Sequence, residues 1–259
     1  MTQLTDDVIL RVAPSIFAEG AHVSRSERYR YIATINVLNK LREQGFYPFM
    51  VGQNSVRKVG KREYTKHILR LRHASQITHT EANEIILINS HDGSSSYQML
   101  AGMFRFVCHN GLVCGTTIDD IRVPHKGDVV GHVVDGAFTV LENFALANAQ
   151  RDAMKATILN SEEQHVLARA ALVLKYDENK APIPITERQL LFPKRQEDRS
   201  SDLWTVFNCI QENLMQGGLM SRSASGRRSR TRAIQGIDQH VKMNRALWAL
   251  AEGMQGLKS

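Results

Sequence analysis

The chain has 259 residues, 42% of them hydrophobic, and a formal net charge of +7 from 33 Lys and Arg against 26 Asp and Glu. That apolar content supports a packed core, and the length allows one large domain or two small ones. Three cysteines (Cys108, Cys114 and Cys209) exclude a disulfide scaffold and fit a reducing compartment. The positive excess favours an anionic partner, nucleic acid before an acidic membrane surface. No apolar run approaches the roughly 20 residues that span a bilayer. The opening MTQLTDDVILRVAPSIF carries two early aspartates and no basic stretch, unlike a secretory signal. The expectation is a soluble cytoplasmic protein with no membrane partner.

Residues 1–22 read as an arm that packs its apolar side, Val8, Ile9, Leu10, Ile16 and Phe17. Ser24 and Glu27 form a capping box, which predicts a helix from about 25 to 44 with Tyr31, Ile35, Leu38 and Leu41 as its stripe. Gly45 is a stop signal. Residues 46–51, aromatic and β-branched, predict a first strand.

The stretch KREYTKHILRLRH, residues 61–73, organises the reading. As a strand it sends Arg62, Tyr64, Lys66, Ile68, Arg70 and Arg72 to one face and Thr65, His67, Leu69 and Leu71 to the other. The second face suits a core. The first, with Arg57, Lys58 and Lys61 nearby, offers cations for phosphates and Tyr64 as a stacking plane for a base. The alternative is an ordinary solvated outer face. EIILIN, residues 84–89, predicts a central strand, Asp92-Gly93 a hairpin, residues 96–109 a return strand, and Asn110-Gly111 a second hairpin. Residues 46–118 thus predict an antiparallel sheet of four to five strands backed by helices, an α+β fold.

From residue 131 the period changes to that of a helix, with Val134, Phe138, Leu141 and Ala145 on one face and Val133, Ala137, Val140 and Phe144 beside it. SEEQ at 161–164 is a capping box opening a helix through Val166, Leu167, Ala170 and Leu174. Residues 176–199, rich in proline and charge, read as an extended connection. This divides the chain into a core domain, 1–175, and a helical C-terminal region, 176–259. Residues 202–216 predict a helix with Leu203, Val206, Phe207, Ile210 and Leu214 on one side, ended by Gly217-Gly218. Next comes GGLMSRSASGRRSRTRA, which holds Arg222, Arg227, Arg228, Arg230 and Arg232 and no acid. Such composition predicts a mobile basic loop that orders on a polyanion, since uncompensated like charges repel until a counter-charge arrives. A last helix spans about 236–253.

Catalytic and metal patterns are sparse. Cys108, His109 and Cys114 flank one turn, but no second pair completes a zinc site, so buried thiols are expected instead. Asp119, Asp120, His125 and Asp128 cluster in sequence without a base or lysine at fixed spacing. Neither a P-loop, a GxGxxG fingerprint nor a GxSxG elbow occurs. Asn208, Gln211 and Glu212 share a helix face and suit either a structural cluster or a ligand contact.

FRFVCHNGLV at 104–113, together with DLWTVFNCIQEN at 202–213 and the glycine pair after it, resembles the phage- and plasmid-borne family named domain of unknown function nine-three-two. The resemblance covers roughly residues 25–255. That family is remotely similar to single-strand annealing recombinases of the RecT, Redβ and ERF kind. The likeness implies a small antiparallel sheet backed by helices, oligomerisation on DNA as a ring or filament, and no catalytic residues. The combined expectation is a non-enzymatic, cofactor-free protein of a mobile element that binds and anneals single-stranded DNA as a homo-oligomer. A protein-binding anti-defence or regulatory module is the first alternative, and a metal-dependent nuclease using Asp119, Asp120 or Asp128 the second.

Overall fold

The computed structural model describes residues 2–22, 31–56, 60–78, 80–108, 110–114, 120–177, 179, 181–222 and 226–258. The Ser24–Glu27 cap, Arg57, Lys58, His109 and Asp119 lie outside the described residues. Backbone contacts divide the chain into two compact units, Met1–Phe106 with Gly111–Phe144, and Val107–Asn110 with Ala145–Ser259. The division falls at Phe144 rather than at residue 175, and α5 (Ser161–Lys175) packs with the C-terminal helices. The architecture is α+β.

The first unit is built on an antiparallel sheet. Strands β1 (Phe46–Gln53), β2 (His67–His73), β3 (Glu81–Asn89), β4 (Tyr97–Arg105) and β5 (Asn110–Val113) lie in that order, and β6 (Ile121–Val123) pairs with the start of β4. Pro48 is tolerated because β1 is an edge strand whose register slips between Pro48 and Met50. All nine residues of β3 are buried, as its apolar run predicts for a central strand. The β3–β4 connection turns at Asp92-Gly93. The Asp92 carboxylate accepts from the Ser94 amide at 2.9 Å, and Gly93 takes a φ of 77°. Asn110-Gly111 opens β5 instead of forming a hairpin tip.

Among the described residues two α-helices precede the sheet. α1 (Asp6–Val12) and the turn Pro14–Phe17 bury Ile9 and Ile16 but leave Val8 and Leu10 exposed. α2 (Thr34–Glu43) starts later than the capping box suggests and buries Val37, Leu38 and Leu41. α3 (Val129–Glu142) is capped by Asp128, whose carboxylate accepts from the Gly131 amide. It turns Val129, Val133, Ala137 and Val140 inward and leaves Phe138 partly exposed, so the face that sequence placed at its side is the buried one. Both faces are apolar, and contact with the sheet chooses between them. A Cβ on Gly136 would lie 2.2 Å from the Met99 methyl, so that glycine sets how closely α3 approaches β4. Residues Val129–Ala156, which include α4 (Phe144–Ala156), are long and apolar enough by composition to cross a membrane. Core helices of soluble proteins meet the same criterion, and α3 packs on β4 and β6.

The second unit centres on α7 (Leu203–Gln216), every residue of which from Leu203 to Met215 is buried. The sequence predicts a one-sided stripe, whereas the helix is enclosed on all sides. α5, α6 (Glu187–Leu190) and α8 (Ile237–Lys258) pack against it. Trp204, Phe207 and Trp248 meet with ring centroids 5.9 to 6.1 Å apart, two of the three pairs edge to face. Asp202 caps α7 by accepting from the Thr205 amide at 2.9 Å. The α5 cap is Asn160 paired with Glu163, one residue ahead of the SEEQ box. Asn serves at that position as well as Ser, and its N3 partner is the Glu163 carboxylate rather than the Gln164 amide.

Candidate nucleic-acid interface

The cationic face expected on residues 61–73 does not form. Residues 62–64 make a single 3-10 turn, closed by the Tyr64 amide on the Lys61 carbonyl and the Thr65 hydroxyl on the Arg62 carbonyl. The strand begins only at His67. Within it Arg70 and Arg72 are each 2% exposed and share the fully buried carboxylate of Glu84 on β3. Arg70 Nε donates to Glu84 Oε2, and its Nη2 donates to the Leu112 carbonyl at 2.5 Å. The Arg72 guanidinium lies 4.5 Å from the Phe49 ring centroid and 4.3 Å from that of Phe104. Both arginines are therefore internal ion-pair groups, and neither is available to a phosphate. The period-two pattern located the strand but could not tell that both its faces are covered. Lys61 and Arg62 remain exposed and Lys66 half-buried, while Tyr64 sets its ring edge-on to His22 at 5.4 Å.

The arginine-rich segment does more than loop. β7 (Met220–Arg222) and β8 (Arg228–Arg230) form an antiparallel hairpin with Met220 opposite Arg230 and Arg222 opposite Arg228. Alternation puts Met220, Arg222, Arg228 and Arg230 on one face and the Ser221–Ser229 pair, 2.7 Å apart, on the other. The base of the hairpin is pinned by Gly218 N to Thr231 O and Thr231 N to Leu219 O. Gly217, at φ 66°, has no space for a Cβ, which would lie 2.6 Å from the Arg232 backbone. Two further bonds tie β7 to the 183–189 stretch: Arg222 N to Pro184 O at 3.3 Å and Gln189 Nε2 to Met220 O at 2.7 Å. All five arginines are exposed. Among the described residues Arg222, Arg228, Arg230 and Arg232 form no ion pair. Like charges directly opposite across a strand pair destabilise it until a counter-charge binds. A cavity of about 460 Å³ opens between this hairpin and residues 183–189.

Residues 21–248 match the family described as domain of unknown function, DUF932. The chain belongs to that family. It is similar to UPF0380 protein YafZ of Escherichia coli (strain K12), 54% identical over 251 residues, 97% of this chain and 91% of that one. It is equally similar to UPF0380 protein YfjQ of the same organism, 54% identical over 249 residues, 96% of this chain and 90% of that one. No solved structure matches it.

In this DUF932 chain Asn208, Gln211 and Glu212 of α7 each have different partners. Asn208 Nδ2 donates to the Trp204 carbonyl, Gln211 Nε2 to Asn244 Oδ1 at 2.7 Å, and Glu212 receives Arg195 on both oxygens at 2.9 Å and Lys194 at 3.2 Å. Burial pushes the Glu212 carboxyl up, but the bonds and charges of Arg195 and Lys194 outweigh it and hold it below the usual range. The Asn208 bond stays within α7, while those of Gln211 and Glu212 join it to α8 and to residues 194–195. Of the residues considered for metal chemistry, those described have separate partners: Asp128 caps α3, Asp120 lies 4.0 Å from Arg122, and His125 Nε2 bonds Asn89 Oδ1 at 2.9 Å. Cys108 and Cys114 are buried, and no group of metal-binding side chains occurs among the described residues.

One buried network in the DUF932 fold escaped the sequence reading. The Thr34 hydroxyl lies 2.9 Å from His67 Nε2, 3.2 Å from His91 Nε2 and 3.1 Å from Asn89 Nδ2, and Ser15 Oγ lies 2.8 Å from His67 Nδ1. Its members lie between positions 15 and 91, on the Pro14–Phe17 turn, the start of α2, the start of β2, the end of β3 and the loop after it, so no local spacing announces them. Burial, then the neighbouring His91, pulls the His67 pKa down to about 3, and burial, then His125, pulls that of His91 down to about 4.

Proposed function

We propose that the protein binds single-stranded nucleic acid through the β7–β8 hairpin and that strand annealing is the activity this binding serves. The observation that carries the reading is the directly opposed pair Arg222 and Arg228, exposed, with Met220 and Arg230 on the same face and no acid in contact. A polyanion supplies the missing counter-charge along a line, as a row of phosphates does. Annealing needs neutralised backbones and free bases, which fits a chain without a P-loop or dinucleotide fingerprint. Arg70 and Arg72 have no part in it.

The test is fluorescence-anisotropy titration of a mixed-sequence oligonucleotide at several salt concentrations. Replacing Arg222, Arg228 and Arg230 with alanine lowers the slope of log affinity against log salt by roughly 2, at about 0.7 per single-strand phosphate contact. An unchanged slope removes the hairpin from the interface. Acceleration of pairing between two complementary labelled strands, with light scattering for ring or filament assembly, checks the annealing step.

A further inference from the structure

The cavity beside the hairpin has a composition that suits more than a phosphate. Ile183, Ile185 and Met220 give its lining an apolar part, and Arg222 and Arg228, both exposed, line it as well. Its volume of about 460 Å³ falls in the range of small-ligand sites. Its walls are held in place. Ile185 is 5% exposed, and the strand carrying Met220 and Arg222 is bonded to Pro184 and Gln189 on the opposite wall. The Gln189 side chain is itself fixed, accepting from the Thr186 amide at 2.9 Å.

We propose that this cavity receives one unpaired nucleobase of a bound strand, with the phosphates on either side of it neutralised by Arg222 and Arg228. The inference rests on the nucleic-acid reading above and adds to it a preference for single strands. A flat ring with apolar faces matches the isoleucine and methionine walls, and a free inorganic anion does not. Arg222 and Arg228, which line the cavity and are exposed to solvent, then meet the backbone of a strand whose base is turned inward. A base in a duplex is stacked and paired and cannot enter without leaving its helix. An acidic peptide would satisfy the arginines but has no rigid ring for the walls.

The experiment compares three fluorescent probes of equal length on the intact protein: a mixed-sequence single strand, an abasic sugar–phosphate strand, and polyglutamate. The expected result is binding of the single strand about tenfold tighter than the abasic strand, the scale of one base contact. Met220→Ala, at a half-exposed position, and separately Ile183→Ala bring the two affinities together without altering the salt slope. Equal affinities for both strands in the unsubstituted protein, with the salt slope intact, overturn the base site and leave the polyanion reading standing. Polyglutamate bound as tightly as the single strand, or no binding of any probe, overturns both.

Discussion

Arg72 donates twice to one oxygen of Glu84, from Nε at 2.8 Å and Nη2 at 2.7 Å, inside a site where the arginine side chain is 1% and the carboxylate 0% exposed. Arg70 occupies the other oxygen. One anion thus serves two buried cations. Glu84→Gln leaves both guanidinium groups without their anion, and removing one partner of a buried pair costs about 3–5 kcal/mol. Urea unfolding should register that loss. Arg70→Ala or Arg72→Ala should likewise lower stability while leaving the salt slope of oligonucleotide binding unchanged in the folded fraction.

Arg70 reaches Leu112 by crossing two glycines. A Cβ on Gly111 would lie 2.3 Å from Arg70 Nη1, and one on Gly102 would lie 2.9 Å from its Nη2. Gly111→Ala therefore forces the guanidinium off Glu84 or shifts β5. The expected cost is about 1–3 kcal/mol, the usual scale of overpacking. Combined with Arg70→Met, the glycine substitution should cost less than the sum of the two singles, because its clash has gone. Thermal unfolding of the four proteins of that cycle measures the difference.

His67 and His91 stay neutral in the folded protein, with pKa values of about 3 and about 4 against 6.5 for a free imidazole. The unfolded chain takes up protons below about pH 6.5 that the folded chain refuses. Stability is therefore complete above that pH and is lost progressively as the pH falls through about 4 and then about 3. Between pH 6 and 4 each histidine steepens the decline by up to about 1.4 kcal/mol per pH unit. His67→Gln should flatten that slope when urea midpoints are compared from pH 7 to 4.5, whatever it does to stability at pH 7. An unchanged slope refutes the neutral assignment.

Glu212 anchors the 194–198 stretch to α7 through Arg195, Lys194 and, by way of Arg195, Asp198 at 3.0 Å. Glu212→Gln weakens charge-assisted hydrogen bonds of the kind that contribute about 1.5–3 kcal/mol. Adding Arg195→Ala to that variant should cost little more, since the same interaction is already weakened. If the two losses sum fully, the residues act independently and the network assignment is wrong.

Local signals were legible where a residue acts on its immediate neighbours. The run EIILIN specified a buried strand, Asp92-Gly93 its turn, Asp202 the start of α7 and Gly217 its end, because capping, φ preference and apolar periodicity operate within a few residues. The count of five arginines without an acid was also fixed by the chain itself. What covers a strand was not. Whether Arg70 and Arg72 meet water or Glu84 depends on a register that sets Arg70 opposite Ile86 and brings together side chains 14 and 12 positions apart. A charged face and a buried ion pair share one alternating pattern, and only the third dimension separates them. The same holds for the arginines after Gly217, where Thr231 closes the base of the hairpin on Leu219 and Pro184 and Gln189 reach its first strand from afar. Charge is a property of sequence; its exposure is decided by whatever packs on top of it.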